Sequence, residues 1–200
     1  MRNQLISLLA SCLVLFGAAV AFANPGTPDS RLKAIEASGG FMVWKAKSDR
    51  KSDVDWGIVD AVLEVPAEKA ITLLRDYENY RTFLKFFTTT KVQSRTDDHA
   101  ILRLRAKIAG GTVQLKATAF MREKALKNGD THFELRYRKG NVNRLDGDWF
   151  VTPVGPNRCL IQMRLLVDPD MWMVSDDQLS EYNLVNSRRT LRAIREILEK

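Results

Sequence analysis

Between Lys91 and Val167 apolar and polar residues take turns along the chain. Leu102, Leu104, Ala106 and Ile108 alternate with Arg103, Arg105 and Lys107. Val113, Leu115, Ala117 and Ala119 alternate with Gln114, Lys116 and Thr118. Phe133, Leu135 and Tyr137 alternate with Glu134, Arg136 and Arg138, and Ile161, Met163, Leu165 and Val167 with Gln162 and Arg164. A period of two sends one set to each face of a strand. Turn signals separate the segments: Gly110-Gly111, Asn128-Gly129-Asp130 and a loop over Pro153–Asn157. The pattern demands an antiparallel sheet with one dry and one wet face, and the dry face must be covered by something.

The flanking segments supply the cover. Asp29 or Ser30 can cap a short helix that runs through Ala37 and closes at Gly39-Gly40. Phe41–Ala46 reads as a strand, and Trp56–Val65 as a longer one with Val59, Ala61, Leu63 and Val65 on one face. Pro66 suits the first position of a helix, where its missing N–H costs nothing, and Ala67, Ala70, Ile71 and Leu74 form that helix's apolar stripe. Asp76 is placed to cap a second short helix with Tyr77, Tyr80, Leu84 and Phe87 on its face. The chain ends in a long helix. Ser175, Asp176 and Asp177 stand at its start, arginines fill its second half, and Leu184, Val185, Leu191, Ile194 and Leu198 make its apolar face. The sum is an α+β chain: a sheet of six or more strands, two short helices after an early strand, and one long C-terminal helix.

Residues 1–23 read as a cleaved secretory leader rather than fold. Arg2 is the positive start, Leu5 to Val20 the apolar run, and Ala21-Phe22-Ala23 the cleavage site, with cleavage after Ala23. A lipidation signal ending at Cys12 is the less favoured reading, because the apolar run continues past it. Residues 24–28 form a short tether, and 29–200 a single domain. The expected location is the periplasm or outside the cell. Cys159 is then the one remaining cysteine, so no internal disulfide forms and stability rests on the core. Its expected role is that of a small buried hydrophobe. Without the leader the chain carries 30 basic and 24 acidic residues. The charges are dispersed without a basic run or nucleic-acid motif, so nucleic acid is not the expected partner.

Several stretches together carry a resemblance. Gly40-Phe41-Met42-Val43-Trp44 is similar to an opening strand, Val65-Pro66-Ala67-Glu68-Lys69-Ala70 to a strand-to-helix passage, and Leu74–Tyr80 to a helix break. Asp146-Gly147-Asp148-Trp149 resembles a G-x-W strand, and Leu166-Val167-Asp168-Pro169 a terminal strand and loop before a long helix. In this order, over about residues 29 to 200, they resemble the START/helix-grip superfamily (SRPBCC proteins), whose bacterial members include polyketide cyclase-like and coenzyme Q-binding-like proteins. The resemblance implies a helix-grip fold: a curved antiparallel sheet wrapped around the C-terminal helix, with a tunnel between them for a hydrophobic ligand. The chain departs from the superfamily at 170–174. Many relatives carry a Gly-rich, Ile-Pro-containing loop there, whereas Asp170-Met171-Trp172-Met173-Val174 is apolar.

The inward set supplies the cavity candidates: Tyr80, Leu102, Leu104, Leu115, Phe133, Leu135, Tyr137, Trp149, Ile161, Met163, Leu165, Leu184 and Leu191. Tyr137 and Tyr80 either orient a ligand or snorkel to the rim. Met171, Trp172 and Met173 are a lid, a membrane-touching tip or a core plug. His99 and His132 read as surface residues, and no metal, cofactor or catalytic residue is expected. The expected function is binding, and by extension transfer, of a lipid or other hydrophobic ligand by a monomer that touches membranes transiently. Two alternatives remain: a cyclase/dehydratase-type enzyme, toward which the reading leans less, and a protein-interaction module using the basic face that holds Arg103, Arg105, Lys107, Lys116, Arg136 and Arg138.

Overall fold

The structure, a computed structural model, describes residues 28–48, 53–108, 113–169 and 174–200. The leader and the Met171–Met173 segment lie outside them. The elements run α1 (Pro28–Ala37), β1 (Phe41–Ala46), β2 (Trp56–Leu63), α2 (Ala67–Arg75), a 3₁₀ helix (Tyr77–Thr82), β3 (Phe87–Arg95), β4 (Ala100–Ile108), β5 (Val113–Ala125), β6 (Thr131–Gly140), β7 (Arg144–Gly155), β8 (Arg158–Asp168) and α3 (Asp176–Leu198). All eight strands form one antiparallel sheet in the order β1-β2-β8-β7-β6-β5-β4-β3. The last strand therefore returns to pair with β2, and the α2 and 3₁₀ segment bridges from β2 to the far edge, β3. This is the α+β helix-grip arrangement that the resemblance implies.

The alternating residues fall as their period requires. Leu102, Leu104, Ala106 and Ile108 are buried, and so are Leu115, Ala117, Ala119, Phe133, Leu135, Ile161, Met163 and Leu165. They make one core with α2, the 3₁₀ helix and α3. α1 covers the opposite face only at the β2–β8 end, where Ile35 packs on Val62 and Leu160.

Helix α3 crosses β2 and β8, and polar residues fix it there. Ser180 Oγ accepts from the Asp55 N–H at 2.8 Å. Asn183 Oδ1 accepts from the Val167 N–H at 3.1 Å, and its Nδ2 donates to the Asp55 carbonyl at 3.3 Å. Ser187 Oγ donates to the Gly57 carbonyl at 2.9 Å. Gly57 is where the backbones meet: a Cβ there would collide with the helix backbone at Asn183 and Leu184. The helix face is thus Leu179, Ser180, Asn183, Ser187, Thr190, Leu191 and Ile194, all buried. Val185, expected on the apolar face, is 37% exposed. Val185 lies about half a turn round the helix from Asn183 and Ser187, so it points away from the sheet.

Smaller differences have local causes. Ser175 and Gln178 form a full capping box at the start of α3. Pro66 precedes the first turn of α2 rather than opening it. Asp76 stands before the 3₁₀ helix, but its carboxylate accepts from the Asn79 side chain at 2.8 Å instead of capping the backbone. The Pro153–Asn157 loop shrinks to a turn, because β7 continues to Gly155 through an irregularity in its register.

Candidate functional site

The inward side chains of the sheet pack with α2, the 3₁₀ helix and α3 in one buried cluster. Leu102, Leu104, Leu115, Phe133, Leu135, Trp149, Ile161, Met163, Leu165 and Leu191 all belong to the buried cluster, and Tyr137 and Leu184 pack against it partly exposed. Tyr80 is fully buried, and its hydroxyl donates to the Leu74 carbonyl at 2.7 Å. That bond spans the break between α2 and the 3₁₀ helix. Burial pushes the Tyr80 phenol well above its ordinary value, so it stays protonated. Its ring lies 5.8 Å from that of Trp149, whose indole N–H is buried without an acceptor among the described residues.

A groove opens beside this core. It has a volume of about 490 Å³ and runs along α3 on the side turned away from β2. Tyr182, Asn186, Arg189, Thr190 and Ala193 supply one wall, at the three- and four-residue spacing of one helix stripe. The other wall is Phe83 and Phe86, from the turn between the 3₁₀ helix and β3, with Ile108 at the end of β4. The Lys107 N–H donates to the Phe86 carbonyl at 2.9 Å and ties that turn to β4. The charged rim is Lys85, Lys107, Arg189, Arg192 and Glu196. Burial pushes the Tyr182 phenol up to about 12.

None of the thirteen candidates from the inward set lines this groove. The alternation identifies residues pointing into the grip, and those pack against each other. The groove draws instead on a stripe of α3 that reads as polar, and on a turn whose Phe83 and Phe86 fall outside any period. The one legible signal was the density of aromatics after Tyr77.

A second concavity, about 360 Å³, lies on the outer face among Trp56, Arg136, Arg144, Asp148 and Arg164. Its charges are largely satisfied within a network. Asp148 accepts from Arg136 at 2.8 Å and lies 2.7 Å from His132 Nε2. Burial raises the Asp148 carboxyl, but the bonds from His132 and Arg136 outweigh it and hold the net below the ordinary value. His132 is therefore no surface residue: it is stacked on Phe150 at 4.2 Å between ring centroids. Asp60 accepts from Arg31 at 2.8 Å and Gln162 at 2.9 Å, yet burial dominates and its carboxyl stays above the ordinary value. Cys159 is fully buried, and burial pushes its thiol up to about 11, which removes it as a nucleophile at neutral pH. Among the described residues no group of three or more metal-ligating side chains forms.

The fold has many solved counterparts at low sequence identity. A STAR-related lipid transfer protein from Xanthomonas axonopodis is similar with a TM-score of 0.69 and 15% identity, over 80% of this chain and 94% of that one. Human STARD10 is similar with a TM-score of 0.65 and 13% identity, over 92% of this chain and 83% of that one. The Zhui aromatase/cyclase from Streptomyces sp. R1128 is similar with a TM-score of 0.55 and 14% identity, over 72% of this chain and 93% of that one. No curated protein matches the sequence closely enough to count as a relative. At these identities the solved structures speak for the fold alone. The family described as polyketide cyclase / dehydrase and lipid transport matches residues 63–177, more than half of the chain, and the protein belongs to it.

Proposed function

We propose that the protein binds a lipid or other hydrophobic small molecule in the groove between α3 and the Phe83–Phe86 turn, and that it does so in the periplasm after removal of residues 1–23. The observation that carries this is the groove's construction: one apolar wall from Phe83, Phe86 and Ile108 faces an α3 wall in which Tyr182 and Ala193 alternate with Asn186, Arg189 and Thr190, under a charged rim. An apolar concavity with a few placed polar groups is the usual form of a small-molecule site. Membership in a family that includes lipid transport supports the same reading, as does the likeness to lipid-transfer proteins. Transfer between membranes is the extension of this reading, with the groove as the carrier.

The cyclase/dehydratase alternative draws on the same family and on the Streptomyces likeness. Such chemistry needs an acid and a base matched to neutral pH. The groove's phenol, Tyr182, is pushed up to about 12, and among the described residues Glu196 is its one carboxylate. That favours binding over proton transfer.

The test is solvent extraction and mass spectrometry of protein purified after expression of the full-length chain, together with titration by the fluorescent apolar probe N-phenyl-1-naphthylamine. A co-purifying lipid or saturable probe binding is expected; absence of both overturns the reading. Intact mass of the purified protein checks the export step, with Asn24 expected as the new N-terminus.

A further inference from the structure

The wet face of β3–β6 contains a feature that ligand binding does not explain. Register places Lys91 directly opposite Arg103, and Arg105 directly opposite Lys116. Lys139 follows across Thr118, and Lys107 ends the β4 row at the rim of the groove. Directly opposed side chains on antiparallel strands stand about 5 Å apart at Cβ, where like charges repel and destabilise the sheet. None of these six cations forms an ion pair among the described residues. The acids on the same strands and their turns, Asp97, Asp98, Glu123, Asp130 and Glu134, all lie toward the other end, by the β3–β4 hairpin. Arg103, Arg105, Lys116 and Lys139 instead surround an open concavity of about 520 Å³.

Guarding a sheet edge against aggregation accounts for Lys91 on the edge strand β3. It does not account for Arg103, Arg105 and Lys116, which lie on the interior strands β4 and β5. α1 covers the outer face only at the other end of the sheet. Salt screens this repulsion in part, and an anionic surface laid against the face would turn it into attraction.

We propose that the outer face of β3–β6, centred on Arg103, Arg105, Lys116 and Lys139, docks on the surface of an anionic lipid bilayer. A protein partner is the poorer fit, because the centre of a protein interface is depleted of lysine and pairs its arginines with aromatic anchors, whereas this patch includes Lys116 and Lys139 and, among the described residues, no aromatic lines its concavity. A bilayer surface offers diffuse negative charge and needs no anchor, each cation near it contributing separately. Among the described residues no helix is long and apolar enough to cross a membrane. Lys107, shared by the patch and the groove rim, brings the mouth of the groove beside the docked face.

The test is co-sedimentation with phosphatidylcholine vesicles, with and without about 30 mol % phosphatidylglycerol. Wild type is compared with the double variant Arg103→Glu/Arg105→Glu. Wild-type binding is expected to require phosphatidylglycerol and to fall away between about 0.1 and 1 M salt, as screening shortens. The double variant is expected to bind more weakly by about tenfold or more. It is also expected to unfold at the same or higher urea concentration, because each new carboxylate faces a lysine across the strands. Lost binding with retained or improved stability separates a docking face from a structural one. Equal binding to neutral vesicles, binding unchanged in the double variant, or binding to duplex DNA in place of vesicles would each overturn the proposal. The groove's occupancy by N-phenyl-1-naphthylamine is read independently, so either proposal can fail without the other.

Discussion

Gly57 and Asn183 meet where the last helix crosses the second strand, and that crossing depends on two side-chain sizes. A methyl group at 57 has no room against the helix backbone at Asn183 and Leu184. Gly57→Ala should destabilise the protein by about 1–3 kcal/mol, lowering the thermal midpoint by roughly 2–10 °C, as read by circular dichroism. Asn183 is fully buried and satisfies backbone groups of two separate strand ends, which is why an amide sits where the helical period leads one to expect a leucine. Asp148 makes the protein's stability depend on pH. Its folded-state carboxyl lies below the ordinary 3.8, so its stabilising contribution is full at neutral pH and lost as pH falls below that value through the depressed one. Asp60 acts in the opposite sense: its raised carboxyl costs stability as pH rises from the ordinary value through the raised one. Asp148→Asn should therefore lose about 2–3 kcal/mol at neutral pH, with the Arg136 partner left behind, yet show a shallower decline in acid than wild type. Urea unfolding of both proteins across that pH range reads the difference, and parallel declines would exclude Asp148 as the source.

One buried side-chain bond spans the break between α2 and the 3₁₀ helix. The Tyr80 hydroxyl reaches back to the Leu74 carbonyl inside the core. Tyr80→Phe should cost about 1–2 kcal/mol by leaving that carbonyl unpaired, seen as a lower urea midpoint with probe binding in the groove unchanged. A variant that loses probe binding without losing stability would instead make Tyr80 a ligand contact. The break, most of the strands and the cap of the final helix were legible because each has a local cause: Asp76 between two apolar stripes, a period of two, Ser175 ahead of an acidic first turn; Phe87, read onto the second helix, instead opens β3. The groove was not legible. Its walls pair a helix stripe of Tyr182, Asn186, Thr190 and Ala193 with Phe83 and Phe86 from a turn, and no local rule links segments a hundred residues apart in the chain. The Asp60–Gln162 and Asp148–His132 contacts were hidden for the same reason: strand register brings them together, and alternation alone marks all of them as wet.

For the whole molecule the question is which space holds a ligand, the filled centre of the grip or the groove at its side. The centre is occupied by Trp149, Tyr80, Phe133 and the leucines around them, all nearly inaccessible to solvent. Entry there requires those side chains to move together, and a close-packed interior resists such movement. The groove is open and half-apolar, and Ala193 gives it space by being small where the helix passes Phe86 and Ile108. Ala193→Trp should fill that space from a side chain already partly exposed, leaving stability within about 1 kcal/mol of wild type. Affinity for N-phenyl-1-naphthylamine should fall by about tenfold or more, the loss of roughly 1.4 kcal/mol of binding. Enlarging the centre by Leu135→Ala should destabilise the fold by about 2–5 kcal/mol while leaving probe affinity in the folded protein intact. If the two variants exchange these effects, so that filling the groove is harmless and emptying the centre alters binding, the ligand belongs to the interior and the groove is only its way in.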